Sequence, residues 1–159
     1  MPDLVLVVED DPANAVLVET ILATLGDFEV MCSSDGNEIL SAVRERPVAA
    51  VLMDVSLSQT RIEGEKVDGV VLTQRLRDLP EGRNLPVILL TAKADQETRL
   101  ESLRKGSDAF LTKPFERNEL LIKINTEIAA AELLVAETRL ESAIRSVESV
   151  DVLMLDLNI

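Results

Sequence analysis

Short, unbroken apolar runs alternate with longer amphipathic stretches along the first three-quarters of the chain. Leu4–Val8 is apolar throughout and stops abruptly at Glu9-Asp10-Asp11-Pro12. A run this short, with no polar alternation, reads as a strand buried on both faces. From Ala13 to Leu25, Val16, Leu17, Ile21, Leu22 and Leu25 recur at helical spacing, and Gly26 supplies a C-terminal stop. A second strand is expected near Phe28–Cys32. A turn and N-cap at Ser34-Asp35-Gly36-Asn37 then open a helix to about Arg46. Val48–Met53 is the third strand, ending at Asp54. The polar stretch from Ser58 to Lys66 interrupts the pattern before a helix from about Gly69 to Leu79. Val87–Leu90 is the fourth strand, ending at Thr91. Asp95 to Lys105 reads as helix with Gly106 as its stop, and Ala109–Leu111 is a fifth strand ending near Lys113-Pro114. Five strand–helix repeats with strands of the buried kind predict an α/β fold: a doubly wound, five-stranded parallel sheet with helices on both faces.

The chain after Pro114 changes character. Glu116 to about Val150 contains no Gly or Pro and favours helix throughout, longer than a closing helix needs. From Ala129 the positions Ala129, Leu133, Ala136, Leu140, Ala143, Val147 and Val150 form a stripe of 3–4 spacing over about three heptads. We therefore expect residues 1–127 to form the α/β domain and 128–159 a helical extension, with dimer pairing favoured over packing on the domain. The last residues, VDVLMLDLNI, read as an apolar, strand-like tail, resembling the strand and acidic end of another α/β unit. A further domain beyond Ile159 is compatible with that ending.

Composition narrows the chemistry. Of 159 residues, 47% are apolar and 28% charged, which excludes a disordered or fibrous chain. Sixteen Lys and Arg against 29 Asp and Glu leave a net charge of −13, so the basic footprint of a nucleic-acid binder is missing. After Phe115 the balance is four basic against nine acidic residues, which points to protein–protein output. There is no His, which removes imidazole catalysis and zinc–histidine or haem sites. Cys32 stands alone, excluding internal disulfides, and fits a buried thiol in a reducing compartment. Neither a signal peptide nor an apolar run of membrane-spanning length is present, and a cytoplasmic location is expected, with no membrane association.

On a parallel sheet, the residues that follow each strand gather at one edge, where such folds bind ligands. Glu9, Asp10 and Asp11 follow strand one, Asp54 strand three, Thr91 strand four and Lys113 strand five. Carboxylates so crowded repel unless a cation or protons compensate. Oxygen ligands without His or Cys indicate a hard ion, Mg²⁺ or Mn²⁺. An amine and a hydroxyl opposite the acids suggest an anion shared with the metal, with phosphoryl the leading candidate. Asp54 can itself attack phosphorus, since carboxylates form aspartyl-phosphate intermediates. Taken singly these residues are weak signals; Asp11 beside Pro12, for instance, reads first as a helix N-cap.

Five motifs in order, LVLVVEDDPAN, AAVLMDVSL, VDGVVLTQRLR, LPVILLTAKA and GSDAFLTKPF, resemble the receiver domain of bacterial two-component response regulators, from about Leu4 to Phe115 and into the following helix. That resemblance implies a flavodoxin-like fold and a phosphorylation-activated switch. It implies that Glu9 and Asp10 hold Mg²⁺, that Asp54 is phosphoacceptor and metal ligand, and that the backbone carbonyl of Ser56 completes the protein's metal ligands. Lys113 would contact phosphoryl oxygens and precede a cis peptide to Pro114. Thr91 would be the switch hydroxyl and Phe110 the switch aromatic. Ser56 and Lys93 stand at positions that influence phosphoryl lifetime in the family. A sensor histidine kinase or phosphotransfer protein would supply the phosphoryl group, an unidentified output protein would read the result, and a homodimer would form through the C-terminal helix. No enzymatic turnover is implied beyond self-phosphorylation from small donors and autodephosphorylation.

The loop after strand three departs from the family pattern. The spacing from Asp54 to Asp68-Gly69 is about seven residues longer than usual. The extra segment, Gln59 to Lys66, either gates the acceptor or joins a partner surface, or is a solvated insertion. Two other readings compete with the switch: a receiver fold used only for docking, and an aspartate-nucleophile phosphatase. Against the first stand the retained acids and Lys113; against the second, Glu9-Asp10-Asp11 where such phosphatases carry Asp-x-Asp.

Overall fold

The computed structural model describes residues 2–92 and 106–157, with side chains to 148. The helix expected over 95–105 and Lys93 lie outside the described residues. The elements are β1 (Leu4–Val8), α1 (Pro12–Thr24), β2 (Glu29–Ser33), α2 (Gly36–Glu45), β3 (Val48–Asp54), β4 (Arg61–Ile62), β5 (Glu65–Lys66), α3 (Gly69–Asp78), β6 (Val87–Thr91), β7 (Ala109–Thr112) and α4 (Arg117–Leu157). The chain divides into two compact units, Met1–Ile128 and Ala129–Ile159.

Five strands form one parallel sheet in the order β2-β1-β3-β6-β7. The chain therefore reverses direction across the sheet on leaving β1, and the crevice lies at the carboxyl ends of β1 and β3. Both faces are buried, which explains the unbroken apolar runs. Leu4, Leu6 and Val8 of β1, Val51 and Met53 of β3, and Val87 and Leu89 of β6 enter one core with α2 and α3 residues such as Ile39, Leu72 and Leu76. Their alternates Val5, Val7, Leu52, Ile88 and Leu90 enter a second core with Val18 and Leu22 of α1 and Leu120, Ile124 and Ile128 of α4. Period-two alternation thus feeds two apolar layers.

Helix starts follow the expected chemistry. Asp11 caps α1 through Ala13 N (3.0 Å) with Pro12 at its first position, Asp35 caps α2 through Asn37 N (2.9 Å), and Asp68 caps α3 through Val71 N (2.8 Å). The structure adds to the sequence reading at two places and corrects it at one. Of the apolar positions that predict α1, Leu22 is buried while Val16, Leu17 and Leu25 remain more than half exposed, and Val18, outside that stripe, is the helix's other buried residue. The helix meets the sheet along a narrow line, so flanking apolar positions stay outside. The stretch 58–66 is an ordered hairpin: β4 and β5 pair antiparallel around Glu63 (φ 50°) and Gly64 (φ 85°), the two positive φ values of a tight primed turn. The tail is helical through Leu157 rather than strand-like, for neither Gly nor Pro breaks α4 before it. In the second unit, Leu133, Leu140 and Val147 are each 61% exposed. Cys32 is half-buried, and burial followed by the nearby Glu19 carboxylate pushes its thiol up to about 11.

Candidate functional site

The parallel register delivers the expected residues to one edge. Val8 pairs with Met53, Asp54 with Leu90, and Thr91 with Thr112, so Glu9, Asp54, Thr91 and Lys113 all emerge at the same ends. The loop after β3 is pinned by Val55 N–H to Leu90 O (3.0 Å) and Gly69 N–H to Val55 O (3.3 Å). Gly69 must lack a Cβ, which would collide with the backbone O of Asp54.

Glu9 and Asp54 are both buried, 6% exposed, and the Lys113 ammonium lies against them: Nζ is 2.9 Å from Asp54 Oδ2 and 3.4 Å from Glu9 Oε2. Ser56 N–H donates to Asp54 Oδ1 at 2.9 Å, and Asp11 N–H to Glu9 Oε1 at 3.2 Å. Burial, a hydrogen bond with Asp54 and repulsion from its charge raise the Glu9 carboxyl above its ordinary value, against the pull of Asp11 N–H and Lys113. Burial works to deprotonate Lys113, but Asp54 and then Glu9 outweigh it and hold the ammonium above its usual value. Lys113 is fixed in turn by its N–H to Thr91 O (2.6 Å) and by a cis peptide to Pro114.

Asp10 sits differently. Its Oδ2 accepts from Ser58 N–H (2.5 Å), Gln59 N–H (2.9 Å) and the Ser58 hydroxyl (3.2 Å). Partial burial would raise this carboxyl, but those donors more than offset it and hold it below the usual range. Thr91 Oγ1 is buried and has no hydrogen-bond partner among the described residues. Phe110 lies lower on β7, opposite Leu89, partly buried against the core shared with α2 and α3.

The donor set at this edge, carboxylates with backbone carbonyls nearby, has the chemistry of a hard divalent cation. Glu9 and Asp54 share the one ammonium of Lys113, and Glu9 is already pushed toward protonation, so added positive charge fits the electrostatics. Among the described residues, however, no three acidic or Cys side chains are gathered to hold one metal ion, because Asp10 is engaged by Ser58 and Gln59. The two main-chain donors among them escape sequence reading, since backbone N–H groups leave no residue signature. A pocket of about 390 Å³ opens beside the acids, lined by Glu9, Asn14, Leu17, Val18, Ala92, Lys113, Pro114 and Phe115. Of the exposed apolar residues of α1, Leu17 lines it.

The family model described as "response regulator receiver domain" matches residues 5–125. Among curated relatives, the response regulator Rre1 of Synechocystis sp. is 33% identical over 119 residues, covering 75% of this chain and 48% of its own. The phosphate regulon transcriptional regulatory protein PhoB of Rhizobium meliloti is 34% identical over 134 residues, covering 84% and 56%. The chain thus spans about half the length of these relatives. Among solved structures, the receiver domain of a Pseudomonas aeruginosa sensor histidine kinase, with a magnesium ion coordinated in its active-site cleft, superposes with a TM-score of 0.70 at 32% identity, covering 81% of this chain and 99% of that one. NtrX from Brucella abortus gives 0.77 at 26% identity, covering 88% and 30%. No described helix is long and apolar enough to cross a membrane.

Proposed function

Because the chain belongs to the response-regulator receiver family, whose general work is phosphorylation-based signalling, we propose that it is a switch whose phosphoacceptor is Asp54. The observation that carries this reading is the buried Asp54 carboxylate facing the Lys113 ammonium at 2.9 Å, at the sheet edge it shares with Glu9. A carboxylate oxygen of Asp54 attacks the phosphorus of a phosphohistidine in a sensor kinase or phosphotransfer protein. The phosphorus–nitrogen bond breaks, and its electron pair leaves with the donor imidazole. Lys113 then pairs with phosphoryl oxygens.

Glu9, Asp10, Asp54 and the backbone carbonyl of Ser56 are the residues that would hold Mg²⁺, or Mn²⁺ in its place. The bound ion supplies positive charge against the transferring group. Support for this comes from the acid excess over Lys113 and from the magnesium in the related Pseudomonas aeruginosa receiver. Thr91 turns its hydroxyl, unpartnered among the described residues, to a phosphoryl oxygen, and Phe110 moves into the space released, shifting the population between two states. We assign the receiver to residues 1–127 and read 128–159 as a pairing segment of a homodimer, whose output is a protein contact in the cytoplasm. The donor protein would dock on the exposed α1 residues Val16 and Leu17, beside the pocket at Lys113.

Intact-protein mass after incubation with Mg²⁺ and acetyl phosphate tests the assignment. One phosphoryl adduct on the wild type, and none on Asp54→Asn or without Mg²⁺, is expected. An adduct persisting on Asp54→Asn, or failure of both acetyl phosphate and beryllofluoride to modify the site, overturns it.

A further inference from the structure

The hairpin inserted between β3 and α3 reaches the site through one acid. Asp10 Oδ2 takes three hydrogen bonds, from Ser58 N–H, the Ser58 hydroxyl and Gln59 N–H, at 2.5, 3.2 and 2.9 Å. Bonds of this kind to an ionised carboxylate are the strong ones. Their donors stand on an anchored body rather than a loose loop. Thr60 and Ile62 are buried, Val67 N–H closes onto Thr60 O at 3.0 Å, and Glu63 N–H reaches Asn37 Oδ1 of α2 at 3.3 Å. A Cβ on Gly36, the first residue of α2, would lie 2.7 Å from both Arg61 O and Ile62 Cγ1, so helix and hairpin are in close contact. Meanwhile Lys113 draws Glu9 and Asp54 together, and no trio of acids is gathered for one cation among the described residues.

We propose that Ser58 and Gln59 are positioning residues that latch Asp10 to the anchored hairpin, and that a divalent cation recruits Asp10 only by displacing those bonds. This rests on the reading that Glu9, Asp10 and Asp54 take Mg²⁺. Coupling of this kind is reciprocal: whatever the latch subtracts from cation affinity, the cation subtracts from the latch. The insertion then acts through the cation site. It sets the concentration of Mg²⁺ at which the acceptor becomes competent.

The test uses the full chain and Mg²⁺ alone, with two readouts independent of phosphorylation. Calorimetry compares Mg²⁺ affinity of the wild type with that of a variant lacking Gln59–Lys66 and with Ser58→Ala, each checked for folding by circular dichroism. We expect the deletion to bind about fivefold more tightly or better, and Ser58→Ala to gain less. In the wild type, hydrogen exchange at the Ser58 and Gln59 amides should quicken as Mg²⁺ saturates. Mg²⁺ binding with those amides still protected, or unchanged affinity in both variants, overturns the latch while leaving the site reading intact. No Mg²⁺ binding by any of the proteins overturns the site reading and the latch together.

Discussion

Thr91 carries a cost in one state that a phosphoryl oxygen would remove in the other. Its hydroxyl is buried at the end of β6 with no partner among the described residues, and such a group costs about 1–3 kcal/mol relative to a satisfied one. Thr91→Val keeps the shape and deletes the hydroxyl. Urea unfolding should therefore show the unphosphorylated variant as stable as the wild type, or more so by about 1 kcal/mol. Amide NMR spectra recorded with and without beryllofluoride should at the same time lose the change that spreads from β6 toward Phe110. A variant that loses stability yet still switches would remove Thr91 from the mechanism. The residues with chemistry were legible in the sequence because a parallel sheet turns strand ends into addresses: Glu9, Asp54, Thr91 and Lys113 each follow an apolar run. The hold on Asp10 was not legible, since two of its three bonds come from main-chain N–H groups forty-eight and forty-nine positions away.

At the scale of elements, the strands bearing the site are tied together from behind by Arg77, near the end of α3. Its guanidinium donates to Gly106 O (2.7 Å), Gly82 O (2.6 Å) and Leu85 O (2.5 Å) and pairs with Asp108 Oδ2 (2.6 Å), which also accepts Val87 N–H at 2.8 Å. One side chain thus fixes the approaches to β6 and β7, whose far ends carry Thr91 and Lys113. A lysine offers a point charge where a planar fork is required. Arg77→Lys should lower unfolding free energy by about 2 kcal/mol, measured by urea titration; a loss below a few tenths would show that the bonds are not coupled to folding. Strands β1, β3 and β6 read plainly because burial on both faces removes polar alternation. The hairpin was hidden for the opposite reason: its strands are two residues each, Arg61-Ile62 and Glu65-Lys66, mostly charged, with Glu63-Gly64 as the sole turn signal. The α1 stripe located the helix but not its buried face: of its five apolar positions Leu22 is buried and Val16, Leu17 and Leu25 stay outside, while Val18 joins Leu22 in the core.

For the whole molecule, the second unit offers apolar surface that water does not favour. Leu133, Leu140 and Val147 repeat at intervals of seven, each 61% exposed, in a chain of net charge −13. Two copies meeting along that seam would bury it. Sedimentation velocity at about 100 μM should report a dimer for the wild type and a monomer for Leu133→Glu with Leu140→Glu. A wild type monomeric with and without beryllofluoride would end the pairing reading. The hairpin tip has a different use. The tip at Glu63-Gly64 stands clear, for even a Cβ at Gly64 would meet nothing within 4 Å although its φ of 85° favours glycine there, while the base of the same hairpin holds Asp10. A fluorophore grafted at that tip would sit in open solvent on a lever rooted in the acid cluster. The molecule is in that sense already laid out as a biosensor, with a free end for the reporter and a fixed end at the event to be reported.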